Sequence, residues 1–464
     1  MKVLLINPPF SSSFPSLSCY PPLGLASLAA VLESNGIDVQ IIDAAVEELS
    51  ADECAGKALS ASPDLVGITA MTPTYPQALK VARLIKSQKN IPICIGGFHA
   101  TFLPEETLAT GVFDYLVRGE GEFTFLDLCK SLQENKDVKS IAGLSYYKNK
   151  KVKNNVSREF ILDLNTLPRP AYHLLDFDKY QSKAPPGFVR KKPWLTMVTS
   201  RGCPFSCKFC SSSVFWGKCW RGFSPERVVT DVELVLDRYD LKSLFFVDDN
   251  FTFFKRRVEK ICSLIKEKSL EFEFTCNCRV DQVDLDLLSK MYSAGCWRIG
   301  FGIEAGTQEV LDWYEKGFSL DEAKSAIEAC KKVGISPICY FIIGAPVETE
   351  KTIERTIEFA KELDADAVGF SFLIPFPGSW LYEYCVENNL LVSTDWEKYT
   401  QDVPLIKMQN LSMDSLQKLG RLAYRKYYFR SKFILRQLIS SFKSPTTLWN
   451  GFKTILKWFF KSGE

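Results

Sequence analysis

The chain has 464 residues, 46% of them hydrophobic, so it can bury sizeable cores in about two to four domains. Its fifteen cysteines are scattered along a long chain, which excludes a small disulfide-stapled scaffold and favours a reducing, cytoplasmic setting. The opening residues run into Asn7-Pro8-Pro9 and do not resemble a signal peptide. No stretch of about 18 uncharged apolar residues occurs, so we expect no membrane-spanning helix.

The formal net charge of +2 hides an asymmetry along the chain. From Arg421 to Glu464 there are ten Lys or Arg residues and one acidic residue, which gives this tail a charge of +9. The preceding 420 residues therefore carry a net −7, and the tail and the body can have different partners.

Residues 1–140 alternate short β-rich apolar runs with amphipathic segments such as Leu23–Leu32 and Tyr75–Ile85. This alternation predicts an α/β domain with a doubly wound parallel sheet. The predicted strands are Val3–Ile6, Val39–Ile42, Leu65–Thr69, Ile91–Ile95 and Tyr115–Val117.

Ligands of such sheets bind beyond the carboxyl ends of the strands, where this region has loops rich in glycine and proline. The usual glycine motifs of dinucleotide and nucleoside-triphosphate sites do not occur in it. Glycine also lets the backbone approach a ligand closely, which suits Gly96 and Gly97. The loops are Asn7-Pro8-Pro9, Thr69-Ala70-Met71-Thr72, Gly96-Gly97-Phe98-His99-Ala100-Thr101 and Arg118-Gly119-Glu120-Gly121-Glu122.

Together with Pro22-Leu23-Gly24-Leu25, these motifs resemble the cobalamin-binding domain that precedes the radical domain in one branch of the radical S-adenosylmethionine superfamily. The family motif D-x-H-x-x-G is missing, so the resemblance implies a cobalt without a lower histidine ligand from that motif. His99 is either a cofactor contact or a loop residue bonded to backbone, and the region could instead be a nucleotide-binding or structural domain. The contacts that the resemblance implies are Asn7, Thr69, Gly96, Gly97, His99, Gly119 and Glu120.

Residues 141–192 are predicted to connect two domains. The runs Leu144–Tyr147 and Val152–Val156 can pair as a hairpin, whereas Leu167–Tyr172 is too rich in proline for a regular element.

Three cysteines, Cys203, Cys207 and Cys210, follow a predicted strand in the spacing C-x3-C-x2-C. Thiolates hold iron–sulfur cubes, usually four per cube, so three in one loop leave one iron free for another ligand. A structural zinc site or three unrelated thiols are the alternatives, but zinc usually takes paired modules and no matching pair follows. The motif resembles the signature of the radical S-adenosylmethionine superfamily, in which the free iron holds the amino and carboxylate groups of S-adenosylmethionine.

Residues 193–390 return to β/α alternation and predict a partial barrel of six units, with reactive groups at the carboxyl ends of the strands. Ser224-Pro225-Glu226 predicts a helix start there, with a serine cap and a proline in the first position. The predicted strands are Leu195–Thr199, Ser243–Val247, Glu271–Thr275, Arg298–Ile303, Ser336–Ile343 and Ala367–Leu373.

Polar loops follow these strands, and they are similar to radical-domain motifs of the same branch, so the resemblance covers residues 1–390. It implies that Arg279 and Glu304 contact the carboxylate, amine or ribose of S-adenosylmethionine, whose zwitterion needs a cation and a carboxylate nearby. Asp248 and Asp249 either bridge neighbouring loops or contact substrate or cofactor. Cys276, Cys278 and Cys296 lack cluster spacing, which favours buried packing.

Residues 391–464 are predicted to form a helical, basic extension. From Leu448 to Lys461, apolar residues share one helical face and lysines repeat every four residues, a pattern typical of a helix lying on an anionic membrane. The alternatives are docking on the acidic body and, more weakly, a nucleic-acid patch that includes Tyr424–Arg430.

The resemblance implies a cobalamin-dependent radical enzyme that cleaves S-adenosylmethionine to a 5′-deoxyadenosyl radical and methylates an unactivated carbon of a small or lipid-like substrate. It also implies a 4Fe-4S cluster and an electron donor of the flavodoxin or ferredoxin type. The alternatives are a radical cyclase of the tetrapyrrole type, a tRNA methylthiotransferase-like enzyme, and a non-catalytic cobalamin or redox sensor. The second of these would need another cysteine triad, and Cys19, Cys54 and Cys94 lie too far apart to form one.

Overall fold

The computed structural model describes residues 1–10, 20–148, 151–185 and 187–441. These residues form two α/β units, each built on a mainly parallel sheet, which confirms the predicted fold class. A membrane-crossing helix would have to be longer and more apolar than any helix in these ranges.

The first unit is a seven-stranded sheet in the order β2-β1-β3-β4-β5-β6-β7. Its first five strands are parallel, as the alternation of strands and helices predicts. The strands are β1 (Lys2–Asn7), β2 (Asp38–Asp43), β3 (Leu65–Thr69), β4 (Ile93–Gly96), β5 (Tyr115–Val117), β6 (Leu144–Lys148) and β7 (Lys151–Asn154). The helices are α1 (Leu23–Glu33), α2 (Ala51–Ser60), α3 (Tyr75–Gln88), α4 (Phe98–Phe102), α5 (Pro104–Ala109) and α6 (Glu122–Gln133).

The hairpin predicted in the connector is present as β6 and β7, and it is part of the first sheet. β6 pairs antiparallel with β5, with Leu116 opposite Ser145. The buried residues Leu144 and Tyr146 then join the core on one face of that sheet. We therefore propose to end the first domain after Asn154 rather than near residue 140.

The second unit is an open barrel of six parallel strands in the order β15-β14-β13-β12-β11-β8. Its edge strands β8 and β15 do not pair with each other, so the barrel is partial, as predicted. Its strands are β8 (Trp194–Met197), β11 (Ser243–Phe246), β12 (Glu273–Cys278), β13 (Cys296–Glu304), β14 (Ser336–Ile343) and β15 (Ala367–Phe372), and β9 (Ser200–Arg201) and β10 (Arg221–Gly222) form a separate short ribbon. The helices that precede or accompany these strands are α7 (Phe177–Ser182), α8 (Ser211–Phe215), α9 (Pro225–Tyr239), α10 (Lys255–Glu267), α11 (Leu285–Ser293), α12 (Gln308–Trp313), α13 (Leu320–Val333), α14 (Glu350–Leu363) and α15 (Trp380–Glu387).

Local signals place several of these elements correctly. The Ser224 hydroxyl accepts a hydrogen bond from the Arg227 amide at 3.2 Å, so α9 begins as predicted. β12 differs from the prediction, because it starts two residues later and continues to Cys278. Pairing with β13, where Asn277 lies opposite Gly300, extends this strand into residues that the sequence alone assigns to a loop.

The region after the barrel contains α16 (Met413–Tyr428) and α17 (Ser431–Ser441). Tyr424 and Tyr428 lie one turn apart on α16, and each hydroxyl hydrogen-bonds both the amide and the carbonyl of one β15 residue. Arg430 and Arg436 form ion pairs with Asp364. This part of the basic extension therefore docks on the barrel, and residues 448–461 lie outside the described residues.

Candidate active site between the two sheets

The cysteine loop connects the β9–β10 ribbon to α8, and all three of its cysteines are partly buried. Gly202, directly before Cys203, has φ +88°, and a Cβ there would lie 2.1 Å from the Cys219 carbonyl oxygen, so only glycine fits. Burial raises the pKa of the Cys203 thiol to about 11, and metal ligation must therefore displace its proton.

The donor set of this loop fits an iron–sulfur cube better than a single ion. Among the described residues, no three His, Cys, Asp or Glu side chains converge as ligands of one metal ion. A cube needs no such convergence, because each thiolate binds a different iron. Cys276, Cys278 and Cys296 are buried in the barrel core, in agreement with their predicted packing role.

Arg279 lies beside the cysteine loop at the carboxyl end of β12. Its Nη1 is 3.9 Å from the Cys207 sulfur, and its guanidinium lies 3.6 Å from the centre of the Phe205 ring. Two hydrogen bonds of 2.9 Å to Asp281 fix the orientation of the guanidinium. The structure thus places a cation within reach of the predicted cluster, and contact of Arg279 with S-adenosylmethionine stays a prediction.

Glu304 ends β13 with φ +72°, a conformation that non-glycine residues rarely adopt and that often marks a functional position. Its carboxylate accepts a hydrogen bond from the Lys316 ammonium at 3.0 Å, and both residues are buried. Burial alone would lower the pKa of Lys316, but the nearby Glu304 carboxylate raises it overall.

Lys316 was not identified from the sequence, although it joins the two predicted S-adenosylmethionine contacts. Its carbonyl oxygen accepts a hydrogen bond from Arg279, and its ammonium binds Glu304. Lys316 lies in a loop between α12 and α13, where no periodicity or motif predicts a buried side chain. Arg279, Lys316 and Glu304 form a connected buried group, and Asp281, which pairs with Arg279, adds a second carboxylate beside its two cations.

The two aspartates after β11 have different environments. Asp248 accepts hydrogen bonds from the Thr199 amide at 2.6 Å and the Ser200 hydroxyl at 2.8 Å, so it braces the chain that leads into the cysteine loop. Asp249 accepts one from the Ser212 hydroxyl at 2.7 Å and lines a large cavity. Burial raises the pKa of the Asp249 carboxyl.

This cavity, of about 820 Å³, lies between the two units. One wall consists of the glycine-rich loops after β3, β4 and β5, and the other consists of the end of β8, the ribbon residue Arg201 and helix α8. The predicted contacts in its lining are Thr69, Gly96, Gly97, Gly119 and Glu120.

Close packing excludes a side chain at some of the glycines that line the cavity but not at all of them, since a Cβ at Gly119 would meet nothing within 4 Å. Gly97 has φ +95°, and a Cβ there would lie 2.7 Å from the Ala70 carbonyl oxygen. A Cβ at Gly67 would lie 2.8 Å from the Leu5 side chain. At the carboxyl edge of the sheet, glycine backbone is combined with apolar side chains such as Leu28 and Phe125, which suits a large cofactor such as cobalamin.

Two predicted cobalamin contacts lie elsewhere. The buried His99 ring stacks on Tyr75 with ring centres 4.0 Å apart and meets Trp396 edge-on at 5.1 Å. Burial lowers the pKa of His99 to about 3, so its ring is neutral. The Asn7 amide donates to Asp43 at 2.7 Å. Neither residue lines the cavity, so the proposed cobalamin contacts do not include them.

Glu120 has a role that the sequence did not indicate. Its two carboxylate oxygens bind Arg201 and Arg221, each at 2.7 Å, and all three side chains are at most 11% exposed. Glu122 also binds Arg201, and Arg201 is separated from Cys203 only by Gly202. This buried ion network ties the loop after β5 to the start of the cysteine loop, so it links the two walls of the cavity.

Comparison with known proteins agrees with this arrangement. The profile of the B12 binding domain matches residues 15–128, and that of the radical SAM superfamily matches residues 197–360. The chain is 38% identical to an uncharacterized methyltransferase, PH0819, from Pyrococcus horikoshii, over 94% of this chain and 95% of that protein. It is 29% identical to the anaerobic magnesium-protoporphyrin IX monomethyl ester cyclase of Rubrivivax gelatinosus, over 94% of this chain and 78% of that protein.

Among solved structures, the cobalamin-dependent S-adenosylmethionine radical enzyme OxsB with aqua-cobalamin and S-adenosylmethionine bound has a TM-score of 0.76 to this chain. The match covers 98% of this chain and 70% of that one, at 18% sequence identity. At this identity the likeness establishes the fold, and it confirms a B12-binding domain followed by a radical domain.

Proposed function

Because this chain belongs to the family of radical S-adenosylmethionine enzymes that carry a B12-binding domain, we propose that it methylates a carbon atom of a small or lipid-like molecule. Its cofactors are a 4Fe-4S cluster, S-adenosylmethionine and cobalamin. The observation that carries the proposal is the cavity bounded by the glycine loops on one side and, on the other, by Arg201 and α8, which flank the cysteine loop. The three cysteines lie between these flanking elements and are not part of the lining. Together, the three cofactors supply reductive cleavage of a sulfonium bond, hydrogen abstraction from carbon and a transferable methyl group.

The chain's own residues provide binding, orientation and a dry environment. We assign cluster ligation to Cys203, Cys207 and Cys210 and cobalamin contacts to the glycine loops after β4 and β5. The buried group of Arg279, Lys316 and Glu304 offers cations for a carboxylate and one carboxylate for an ammonium or for ribose hydroxyls. Because all three are buried, their charges act in a medium of low polarity and orient the ligand strongly.

The remaining cavity wall supports the proposed substrate class. Leu23, Leu28, Phe215 and Trp216 supply an apolar surface there, and Asp249 supplies a polar group near the cysteine loop. Such a lining suits an apolar molecule with at least one hydrogen-bonding group. The extension beyond residue 441 would add contact with an anionic membrane in this proposal, through the lysine face of residues 448–461.

A second candidate function is radical ring closure without methyl transfer. The relative from Rubrivivax gelatinosus, which bears the name of a cyclase, matches nearly the whole chain and supports this alternative. The two reactions share the first chemical step and differ in whether the product gains a methyl group.

Anaerobic turnover with trideuteromethyl-labelled S-adenosylmethionine separates the candidates. The reconstituted protein is incubated with dithionite, hydroxocobalamin and a panel of tetrapyrroles and polycyclic lipids, and the products are analysed by mass spectrometry. We expect 5′-deoxyadenosine together with a product that has gained one labelled methyl group. A product that has lost hydrogen and gained no label would establish the cyclase and refute methyl transfer.

A further inference from the structure

The proposed function requires an electron from outside the chain. Reductive cleavage of a sulfonium carbon–sulfur bond consumes one electron, and a donor must deliver it to the cluster loop. The following inference therefore rests on the proposed function and concerns where a donor protein approaches.

A chain of aromatic rings leads from the cysteine loop to the surface. Phe205, between Cys203 and Cys207, meets Phe253 edge-on with ring centres 6.1 Å apart. Phe253 meets Phe254 at 4.9 Å, and Trp220 lies 4.7 Å from Phe254. Phe254 is 52% exposed, which is unusual for a phenylalanine that adjoins a packed aromatic cluster. This apolar surface adjoins the cysteine loop, because Phe205 of that loop contacts Phe253.

The same surface is cationic. The first turn of α10 reads Lys255-Arg256-Arg257 and contains no acidic residue, although positive charge is unfavourable at a helix N-terminus. Residues whose charge is unfavourable for the local helix are often retained for a function rather than for stability. Arg257 turns inward to the Phe223 and Thr199 carbonyl oxygens, and Lys255 pairs with Asp284.

Three further cations, close in sequence to Trp220 or Phe254, are exposed and form no ion pair with any described residue. They are Lys218, Arg256 and Lys260. Arg256 and Lys260 are four residues apart on α10 and therefore share a face. The basic residues after position 441 would be repelled by this surface, so the chain's own tail is a poor occupant. An acidic partner matches both the charge and the apolar centre.

We propose that Lys218, Trp220, Phe254, Arg256 and Lys260 form the donor face, the docking surface for an acidic protein that carries one electron to the cluster. The aromatic chain that leads to this face starts at Phe205, two residues from Cys203 and from Cys207, and it ends at the exposed Phe254. Cationic residues around the apolar centre would steer an acidic donor and increase its association rate, more strongly at low ionic strength.

The test compares a protein donor with a small reductant on the full-length holoenzyme. Reduced flavodoxin or dithionite drives formation of 5′-deoxyadenosine in the wild type, in Arg256→Glu and in Arg256→Glu/Lys260→Glu. We expect the flavodoxin-driven rate to fall about fivefold in the single variant and further in the double variant at low salt. The dithionite-driven rate should stay unchanged. The affinity of oxidised flavodoxin for the chain, measured by calorimetry, should fall in parallel.

Lys351→Glu is the matched control. Lys351 is also exposed and lies at the second position of a helix, but α14 follows β14, three strands from β11 in the barrel. Both substitutions place a negative charge where the helix dipole favours it, so neither should impair folding.

Three outcomes would each overturn the donor face. The flavodoxin-driven rate could fall equally in Lys351→Glu, it could stay unchanged in the double variant, or the dithionite-driven rate could fall by the same factor. A further outcome would also overturn it: Arg256→Glu abolishes binding of anionic vesicles while the flavodoxin-driven rate is unaffected. The face would then be a membrane contact. Absence of 5′-deoxyadenosine with dithionite in the wild type would instead refute the proposed function itself.

Discussion

Alanine in place of Cys203, Cys207 and Cys210 is expected to reduce 5′-deoxyadenosine formation to background while cobalamin binding persists. The thiolates lie in the radical unit, whereas the glycine loops of the cavity belong to the first sheet. Removal of the cluster ligands should therefore eliminate iron and the electron-dependent cleavage without altering those glycine loops. Iron and sulfide analysis, chromatography of the nucleoside product and the visible spectrum of bound cobalamin measure the three quantities on one sample.

Cys219→Ala is the matched control for this prediction. Cys219 is exposed, and its carbonyl oxygen lies where a Cβ at Gly202 would clash, so its backbone packs directly against the cysteine loop. Its sulfur is not part of the C-x3-C-x2-C spacing, and we expect wild-type iron content in this variant. Cleavage that survives in the triple variant would contradict the assignment of the cluster ligands.

Glu120→Gln is expected to separate cleavage of S-adenosylmethionine from methyl transfer. The substitution keeps the size of the side chain but removes the charge that holds Arg201 and Arg221. Removal of one partner from a buried ion network costs about 3–5 kcal/mol, so the melting temperature should fall. A small shift between the two cavity walls would also misplace the reacting groups, and about 1 Å of misplacement can cost about a hundredfold in rate.

The decisive readout is the ratio of methylated product to 5′-deoxyadenosine. A purely structural role for Glu120 would lower both quantities together, whereas a positioning role lowers the ratio. Glu120→Asp should restore part of it, because the charge returns on a shorter side chain. Asp127→Asn on α6 is the control, since Asp127 forms its ion pair with Arg158 and does not line the cavity. An unchanged ratio in Glu120→Gln would refute the positioning role.

The fold and the cluster loop were predictable because their signals are local. Alternating apolar runs located ten of the eleven parallel strands of the two sheets to within about two residues at each end, and the exception, β12, runs three residues further at its carboxyl end. The cysteine spacing and the Ser224 cap each depend on a few neighbouring residues. Parallel strands then bring their loops to one edge, so the glycine loops of the first sheet could be placed at one cavity wall.

The remaining site features depend on contacts between distant parts of the chain. Glu120 and Arg201 are 81 residues apart, and nothing in either local sequence indicates that they meet. Lys316 lies in an irregular loop, so its burial follows from packing rather than from a repeat. For His99 the sequence predicts a ligand contact that the structure does not place in the cavity. A glycine-rich loop typical of ligand sites can still direct one side chain into the core, here between Tyr75 and Trp396.

The central claim is that one cavity holds cobalamin beside a cluster that cleaves S-adenosylmethionine. The most direct test uses protein that is purified and reconstituted without oxygen, loaded with hydroxocobalamin and freed of excess by gel filtration. Its visible spectrum is recorded, and S-adenosylmethionine and dithionite are then added. We expect one retained cobalamin per chain and 5′-deoxyadenosine from the same sample. 5′-Deoxyadenosine from protein that retains no cobalamin would contradict the methyl-transfer account, and absence of both would contradict the account of the site as a whole.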